Sequence, residues 1–488
     1  MVDPAGYPVD LAARDLMAAG MLVGVWCCRQ GGLVPVPAEA LTPADGAWSG
    51  AGLDSRTLTE GQLFVALPGE HVDGRDFLDR AVATGHWVLA GRENGWSGEQ
   101  ALAGLPAAPG AGVLLCRDGA EGLAFLAGRH RSRWQGTLIG ITGSNGKTTC
   151  KDLCAALLGG AARVWATAGN HNNRLGVPLT LLGLQAEHRF AVVEMGASSE
   201  GQIAFLADLV RPSIGVITNA AAAHLSEFGS LEGVVRGKGE LLDALPENGT
   251  AVLNADSPGF DQWRRRAGCP VVSWGREAGD HRWTWKTVPG RGWVTVIDGE
   301  SWPTPLPGRH NGANLTAALL AVRAAGLSDE AARSGLARFE GSPHRSHLLR
   351  WDGRLILDDS YNANPRSMLA AGSALVELAS GGKSCAVLGA MAELGDDAAG
   401  LHRETGRSLA DLGVQVVVAV GAGARPLGEG FDERGGEVHY CPDQEAAADW
   451  IRSRTRPRDV VLLKGSRSSA MEIVLDYLPG ITTASQGS

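Results

Sequence analysis

The sequence predicts an α/β fold with three domains in series. Three observations carry that reading. The chain has 488 residues, a length that suits two to four domains. Short apolar runs of strand character alternate with helix-like stretches along almost all of it. One such run passes straight into a glycine-rich turn that opens a helix. The 68 glycines fall mostly in short turns between apolar runs, so they mark loops rather than disorder.

The first predicted domain spans residues 1–117. Its opening 43 residues read as an extension with one apolar helical stretch, Leu16 to Cys28, and a Pro-rich segment, LVPVPAEALTP. A compact region follows. LFVAL, WVLA and VLLC read as strands and DFLDRAVATG as a helix, while SGEQALAGLPAAPGAG reads as surface loop.

The second predicted domain spans 118–342. AEGLAFLAGRHRSRW reads as a helix, then TLIGIT as a strand, then KDLCAALLGGA as a helix. FAVVEM, SIGVIT and TAVLNA are further strands, which is the rhythm of a parallel sheet covered by helices. The alternation RWTWKTV … WVTVI predicts a hairpin near 282–297. The third domain, 343–488, offers RLILDD, CAVLG, VVVAVG and VVLLKG as strands.

Bulk composition excludes several classes. Hydrophobic residues make up 44% and charged residues 20%, an ordinary globular balance. A net charge of −9 argues against nucleic acid held on a basic face. The eight cysteines form no CxxC pair and no dense framework, which favours reduced thiols in a cytoplasm over zinc or disulfides. The opening MVDPAGYPVD lacks a basic n-region, and no apolar run reaches the roughly 20 residues a membrane span needs. The expectation is a cytoplasmic monomer without membrane insertion.

The glycine-rich turn is Gly140-Ile-Thr-Gly-Ser-Asn-Gly-Lys-Thr-Thr149. In a strand–loop–helix setting, glycines let backbone N–H groups approach phosphate oxygens, and the helix N-terminus adds positive potential. Gly143, Ser144, Asn145, Gly146, Lys147, Thr148 and Thr149 are therefore predicted to cradle ATP. Lys147 would reach the β/γ-phosphates and Thr148 would ligate Mg²⁺. The spacing is not GxxxxGK[ST], since Ile141 stands five before Gly146. By itself the segment also reads as a Gly-rich turn with a solvated lysine.

The short loop TGSNGKTT resembles that of the Mur ligases and of their relatives, the folylpolyglutamate synthases. The resemblance runs from about Asp54 to Met471. It takes in AGNHNNRLGVPLTLL (168–182), EMGASSEGQI (194–203), ITNAAAAHLSEFGSLEGVVRGKGELL (217–242) and GRHNGANLTAALLA (308–321). It continues through SPHR (342–345), LDDSYNANPRSM (357–368), LGAMAELG (388–395) and LLKGSRSSAME (462–472). The DSYNANP and KGSR strings point to the member that adds a dipeptide.

The resemblance implies three domains: a UDP-substrate-binding domain, a P-loop ATP-binding domain and a Rossmann-like domain. It implies that ATP phosphorylates the carboxylate of UDP-N-acetylmuramoyl-tripeptide, and that the amine of D-alanyl-D-alanine attacks the acyl phosphate. Both steps develop negative charge that cations must offset. Catalytic roles would fall to Lys147, Glu194, His224 and Lys238. The metal would be held by Thr148, Glu194, His224 and Lys238, the last as a CO₂-derived carbamate. Asn311 and Asn314 would contact adenine, although an Asn pair there also reads as helix capping. Arg345 and Asp359 would reach phosphate and ribose.

Tyr361, Asn362 and Asn364 would line the dipeptide site, and Thr167, Asn170, Asn172 and Asn173 the muramoyl-peptide site. Ser55 and Arg56 would contact uridine diphosphate, although Asp-Ser-Arg is also an ordinary turn. Lys464 and Arg467 are either structural or bind a substrate carboxylate. The chain departs from the family pattern at Ala168, Arg174, Ser198, Ser199 and Ala390, where the last replaces an acid. Two other classes fit parts of the pattern: a folylpolyglutamate synthase-like ligase, and a P-loop ATPase or phosphotransferase that forms no amide bond.

Overall fold

The computed structural model describes residues 6–96, 100, 102–159, 164–221, 225–288 and 292–484. Three sheets dominate it. The first has six strands in the order Gly32–Val36, Leu22–Arg29, Gly112–Cys116, Trp87–Gly91, Gln62–Ala66, Gly50–Gly52. The last four are parallel, and the first two add on antiparallel.

This sheet corrects the reading of the first 43 residues. They are no appendage: two of the six strands come from them. The apolar run Leu16–Cys28 is not one helix either. A helix occupies Val9–Ala18, the chain turns at Gly20 with φ of +69°, and the strand Leu22–Arg29 follows. Glycine adopts that φ at little cost, which lets one hydrophobic run serve two elements. Pro35 sits in the edge strand, where its missing N–H is tolerated.

The second sheet has nine strands in the order Val164–Ala166, Phe190–Glu194, Thr137–Thr142, Ile214–Ile217, Thr250–Asn254, Val271–Gly275, His281–Val288, Gly292–Ile297, Glu300–Thr304. The first six are parallel. The last three form the expected hairpin plus one more antiparallel strand. From Thr137–Thr142 the chain builds one side of the sheet and then crosses to the other. Ligands bind at the carboxyl ends of strands at such a switch point.

The third sheet has seven strands in the order Glu437–Cys441, Val416–Val420, Ser384–Leu388, Val460–Lys464, Arg354–Asp358, His347–Trp351, Thr482–Thr483. The first five run parallel.

The cores show how these layers join. Helix Gly119–Arg133 buries Leu123, Leu126 and Ala127 in a cluster that takes in Leu63 and Leu89 of the first sheet, Ala191 of the second, and Val177 and Leu206 on helices Gly176–Leu182 and Gln202–Val210 that cover the second. The first two sheets thus share one hydrophobic core. The third sheet keeps its own clusters, built only from residues after Leu348.

Candidate active site

Strand Thr137–Thr142 is buried, and helix Lys147–Leu157 begins five residues after it ends. The loop between them is tightly fixed. Gly143 and Gly146 hold φ of +144° and +81°. A Cβ on Gly143 would lie 2.0 Å from Thr218 Oγ1, and one on Gly146 2.2 Å from Asn314 Oδ1. Thr218 Oγ1 and Asn219 Nδ2 donate to the Asn145 carbonyl at 2.7 and 3.0 Å. Ser144 Oγ donates to the Ala221 carbonyl at 3.2 Å.

Lys147 Nζ folds over the loop and donates to the Gly143 carbonyl at 2.9 Å. Burial pushes its pKa down and the nearby Arg345 adds to that, while Glu194 partly opposes it. A half-buried cation facing backbone carbonyls, with no carboxylate bonded to it among the described residues, suits an incoming phosphate.

This loop forms one wall of a cavity of about 790 Å³. Gly146, Thr148, Thr149, Asn170, Asn172, Asn173, Glu194, Asn311 and Asn314 line it from the middle domain. Arg345, Asp359, Tyr361, Asn362, Asn364 and Lys464 line it from the C-terminal side. The fold brings together sequence segments more than 300 residues apart.

Glu194 ends its strand and is 1% exposed. Asn172 Nδ2 donates to its Oε1 at 2.7 Å, while Oε2 is buried with no partner among the described residues. A buried carboxylate oxygen left open in this way fits a cation beside the phosphate loop. Asn172 thus lines the cavity and also supports Glu194. Among the described residues no three His, Cys, Asp or Glu side chains converge. Mg²⁺ does not need them, because it takes one or two carboxylates together with phosphate oxygens.

Lys238 lies on helix Leu231–Asp243 and is 2% exposed. Its Nζ donates to the Ala197 carbonyl at 3.0 Å and sits 5.1 Å from the Phe228 ring centroid. Burial, reinforced by the charge of Lys147, pulls its pKa down to about 7. His224 lies outside the described residues.

Other expected positions sort differently. Thr167 is 2% exposed and does not reach the cavity wall. Its hydroxyl accepts from Glu194 N at 3.0 Å and its carbonyl from Lys151 Nζ at 2.7 Å, so its work is structural. Asn311 is not a helix cap, since Gly308 holds that place. Its Nδ2 donates to the Pro307 carbonyl at 2.7 Å and its Oδ1 accepts from Asn314 Nδ2 at 3.0 Å.

Asp359 accepts from Ser346 N at 2.8 Å and from Lys464 Nζ at 2.5 Å. Lys464 also donates to the carbonyls of Asp359 and Asn362 at 3.2 and 2.9 Å, so its three donors are occupied and the structural alternative holds. Arg345 stacks 3.9 Å over the Tyr361 ring. Ser55 and Arg56 line no part of this cavity, and Arg56 instead grips Asp54 at 2.7 Å.

Ala390 borders neither this cavity nor a second one of about 440 Å³ beside it. Its carbonyl holds Ser466 N at 2.8 Å, while Glu393 reaches both cavities. Asn254, Asp256, Trp274 and Trp283 also line the larger cavity. The sequence reading missed them. The Asn254-Ala255-Asp256 run that closes the apolar strand Thr250–Asn254 is the available clue for the first two.

Family profiles match along most of the chain. The Mur ligase catalytic domain matches residues 48–131, the Mur ligase middle domain 141–322, and the Mur ligase glutamate ligase domain 344–467. The UDP-N-acetylmuramoyl-tripeptide–D-alanyl-D-alanine ligase of Escherichia coli K12 is 36% identical over 436 residues, covering 87% of this chain and 92% of that protein. The chain belongs to the Mur ligase family.

The enzyme of the same name from Mycobacterium tuberculosis H37Rv is 36% identical over 466 residues, 87% of this chain and 91% of its own. Among solved structures, MurF of Acinetobacter baumannii superposes with a TM-score of 0.79 at 29% identity, covering 98% of this chain and 100% of that one. MurF of Thermotoga maritima, solved with ADP, gives 0.72 at 28% identity, covering 88% and 96%. As a Mur ligase with these neighbours, the chain has the α/β fold that the sequence predicts.

Proposed function

We propose that this Mur ligase joins D-alanyl-D-alanine to UDP-N-acetylmuramoyl-tripeptide, using ATP, in the synthesis of peptidoglycan precursors. The observation that carries this reading is the shared cavity. It sets the phosphate loop of one domain against the Tyr361–Asn364 segment of another. The curated relatives named for this reaction match across nearly their whole length.

The residues divide the work by chemistry. Loop N–H groups, the N-terminus of helix Lys147–Leu157 and Lys147 hold the nucleotide phosphates. Asn311 and Asn314 border the adenine end, and Arg345 brings a second cation to the transferring group. Mg²⁺ would be held by Thr148 and Glu194, and when bound it offsets charge on phosphate oxygens. Tyr361 and Asn362 face the incoming amine. Ser55 and Arg56 stand in the domain assigned to the uridine diphosphate, away from the chemistry.

Lys238 is the proposed carbamate. Its amine loses a proton near neutrality, so it can add to CO₂, forming an N–C bond and releasing H⁺. The product would be an anion just behind the cavity wall, where Lys238 Nζ now donates to the carbonyl of Ala197, a lining residue. The domain division 1–117, 118–342 and 343–488 accompanies this reading. So does action as a cytoplasmic monomer, since one chain supplies both cavity walls and no described helix is long and apolar enough to cross a membrane.

The test is a three-substrate assay. Purified protein is supplied with MgATP, D-alanyl-D-alanine and UDP-N-acetylmuramoyl-tripeptide carrying either lysine or meso-diaminopimelate. Phosphate release with a pentapeptide product that needs all three substrates supports the proposal. Phosphate release without an amide product would sink it in favour of an ATPase or phosphotransferase.

A further inference from the structure

The Asn145 side chain is held by a bond from the opposite domain. Asn364 is the N-cap of helix Pro365–Leu378, and its Oδ1 accepts from Ser367 N at 2.9 Å. A backbone N–H can only donate, so this bond fixes which end of the Asn364 amide is oxygen. The other end, Nδ2, then donates across the cavity to Asn145 Oδ1 at 2.8 Å. That in turn fixes the Asn145 amide, whose Nδ2 is left buried with no acceptor among the described residues.

Every other polar group of Asn145 is engaged. Its N–H donates to Asn219 Oδ1 at 3.2 Å, and its carbonyl takes the two bonds from Thr218 and Asn219. The orphan donor lies in the phosphate loop, on the cavity wall, among Gly146, Lys147 and Thr148. A buried N–H without an acceptor is costly, and a charged oxygen at that point removes the cost.

We propose that Asn364 is a positioning residue. Through its own helix cap it turns the Asn145 amide so that Nδ2 donates to an oxygen of the γ-phosphoryl group. Docking of the C-terminal domain thereby completes the phosphate site rather than merely covering it. Asn364 acts on the nucleotide and not, as its sequence position suggests, on the dipeptide. This rests on the nucleotide reading of the cavity and is independent of which amine is ligated.

Calorimetric titration of the full chain with MgAMP-PNP and with MgADP tests it. Asn145→Ala deletes the donor. Asn364→Ser keeps a capping oxygen for Ser367 N but is too short to reach Asn145. Each variant is expected to lose about tenfold in affinity for MgAMP-PNP, the value of one hydrogen bond to a charged oxygen, with MgADP affinity unchanged. The double variant is expected to bind no worse than Asn145→Ala alone, because the second residue works only through the first.

Equal losses for both nucleotides, multiplying losses in the double variant, or no loss would each overturn the proposal. Rescue of Asn364→Ser by raised dipeptide concentration in the ligation assay would also overturn it. Wild-type protein that binds neither nucleotide would defeat the nucleotide reading, and this inference with it. Wild-type protein that binds both but makes no pentapeptide would defeat only the acceptor assignment.

Discussion

Asn172 Nδ2 lies 2.7 Å from Glu194 Oε1, and that bond leaves the other carboxylate oxygen, Oε2, without a partner among the described residues. A side chain placed this way would orient Glu194 as the proposed metal ligand. Partners of this kind are worth about 10- to 100-fold in metal affinity or activity. Asn172→Ala is expected to raise the Mg²⁺ concentration for half-maximal rate by about 10- to 100-fold. The KM for the UDP-linked substrate should stay close to wild type. A Mg²⁺ titration of initial rate checks this, and a rise in the UDP-substrate KM alone would return Asn172 to the peptide site.

The low pKa of Lys238, about 7, sets a pH dependence. Below that value the ammonium form dominates, and an ammonium cannot add to CO₂. Above it the amine is free. Activity is expected to fall as pH drops through about 7, and to fall further in CO₂-depleted buffer. Added bicarbonate should restore part of it. Lys238→Ala should fold, lose activity, and regain some with short carboxylic acids. Rates of wild type and variant in degassed and bicarbonate-supplemented buffers decide the matter. Indifference to CO₂ at every pH would remove the carbamate.

Lys464 is 3% exposed and holds Asp359 in place. Lys464→Ala leaves a carboxylate with one partner fewer in a largely buried site. Breaking such a pair costs about 3–5 kcal/mol. The expected result is a lower Tm together with a raised KM for ATP, since Asp359 would lose its orientation towards the cavity. Thermal unfolding and ATP saturation curves measure both. An unchanged Tm would contradict the structural assignment.

Asp15 provides a control remote from the cavity. It accepts from Tyr7 Oη at 2.6 Å, from Arg133 at 2.6 Å and from Arg129 at 3.1 Å. These bonds tie helix Val9–Ala18 to helix Gly119–Arg133. Asp15→Ala should destabilise the protein by about 3 kcal/mol, the cost of opening a largely buried charge network. The KM values should not move. Denaturant unfolding and steady-state kinetics separate the two effects.

Much of this was legible in the sequence because the relevant information is local. A buried parallel strand such as Thr137–Thr142 is a continuous apolar run, and a phosphate loop must follow it directly. The Leu16–Cys28 run was misread for the complementary reason. Apolar content alone does not separate helix from strand, and of the two glycines in the run only Gly20 takes a positive φ and turns the chain. The resemblance makes Thr167 a candidate peptide contact, whereas its side chain lies outside the cavity lining. Its burial against Glu194 N depends on strand pairing, which no sequence pattern there encodes. The Asn364–Asn145 bond joins positions 219 residues apart and exists only once two domains meet.

Helix Gly119–Arg133 packs between the first sheet and the helices Gly176–Leu182 and Gln202–Val210 that cover the second, and this constrains how the protein can be rebuilt. A chimaera cut at residue 117 to exchange the N-terminal segment would sever that helix from the first sheet, one side of its packing surface. Such a hybrid needs the helix and both of its neighbours taken from one parent. The C-terminal domain, with hydrophobic clusters entirely its own, is the part that can be transplanted at a single joint.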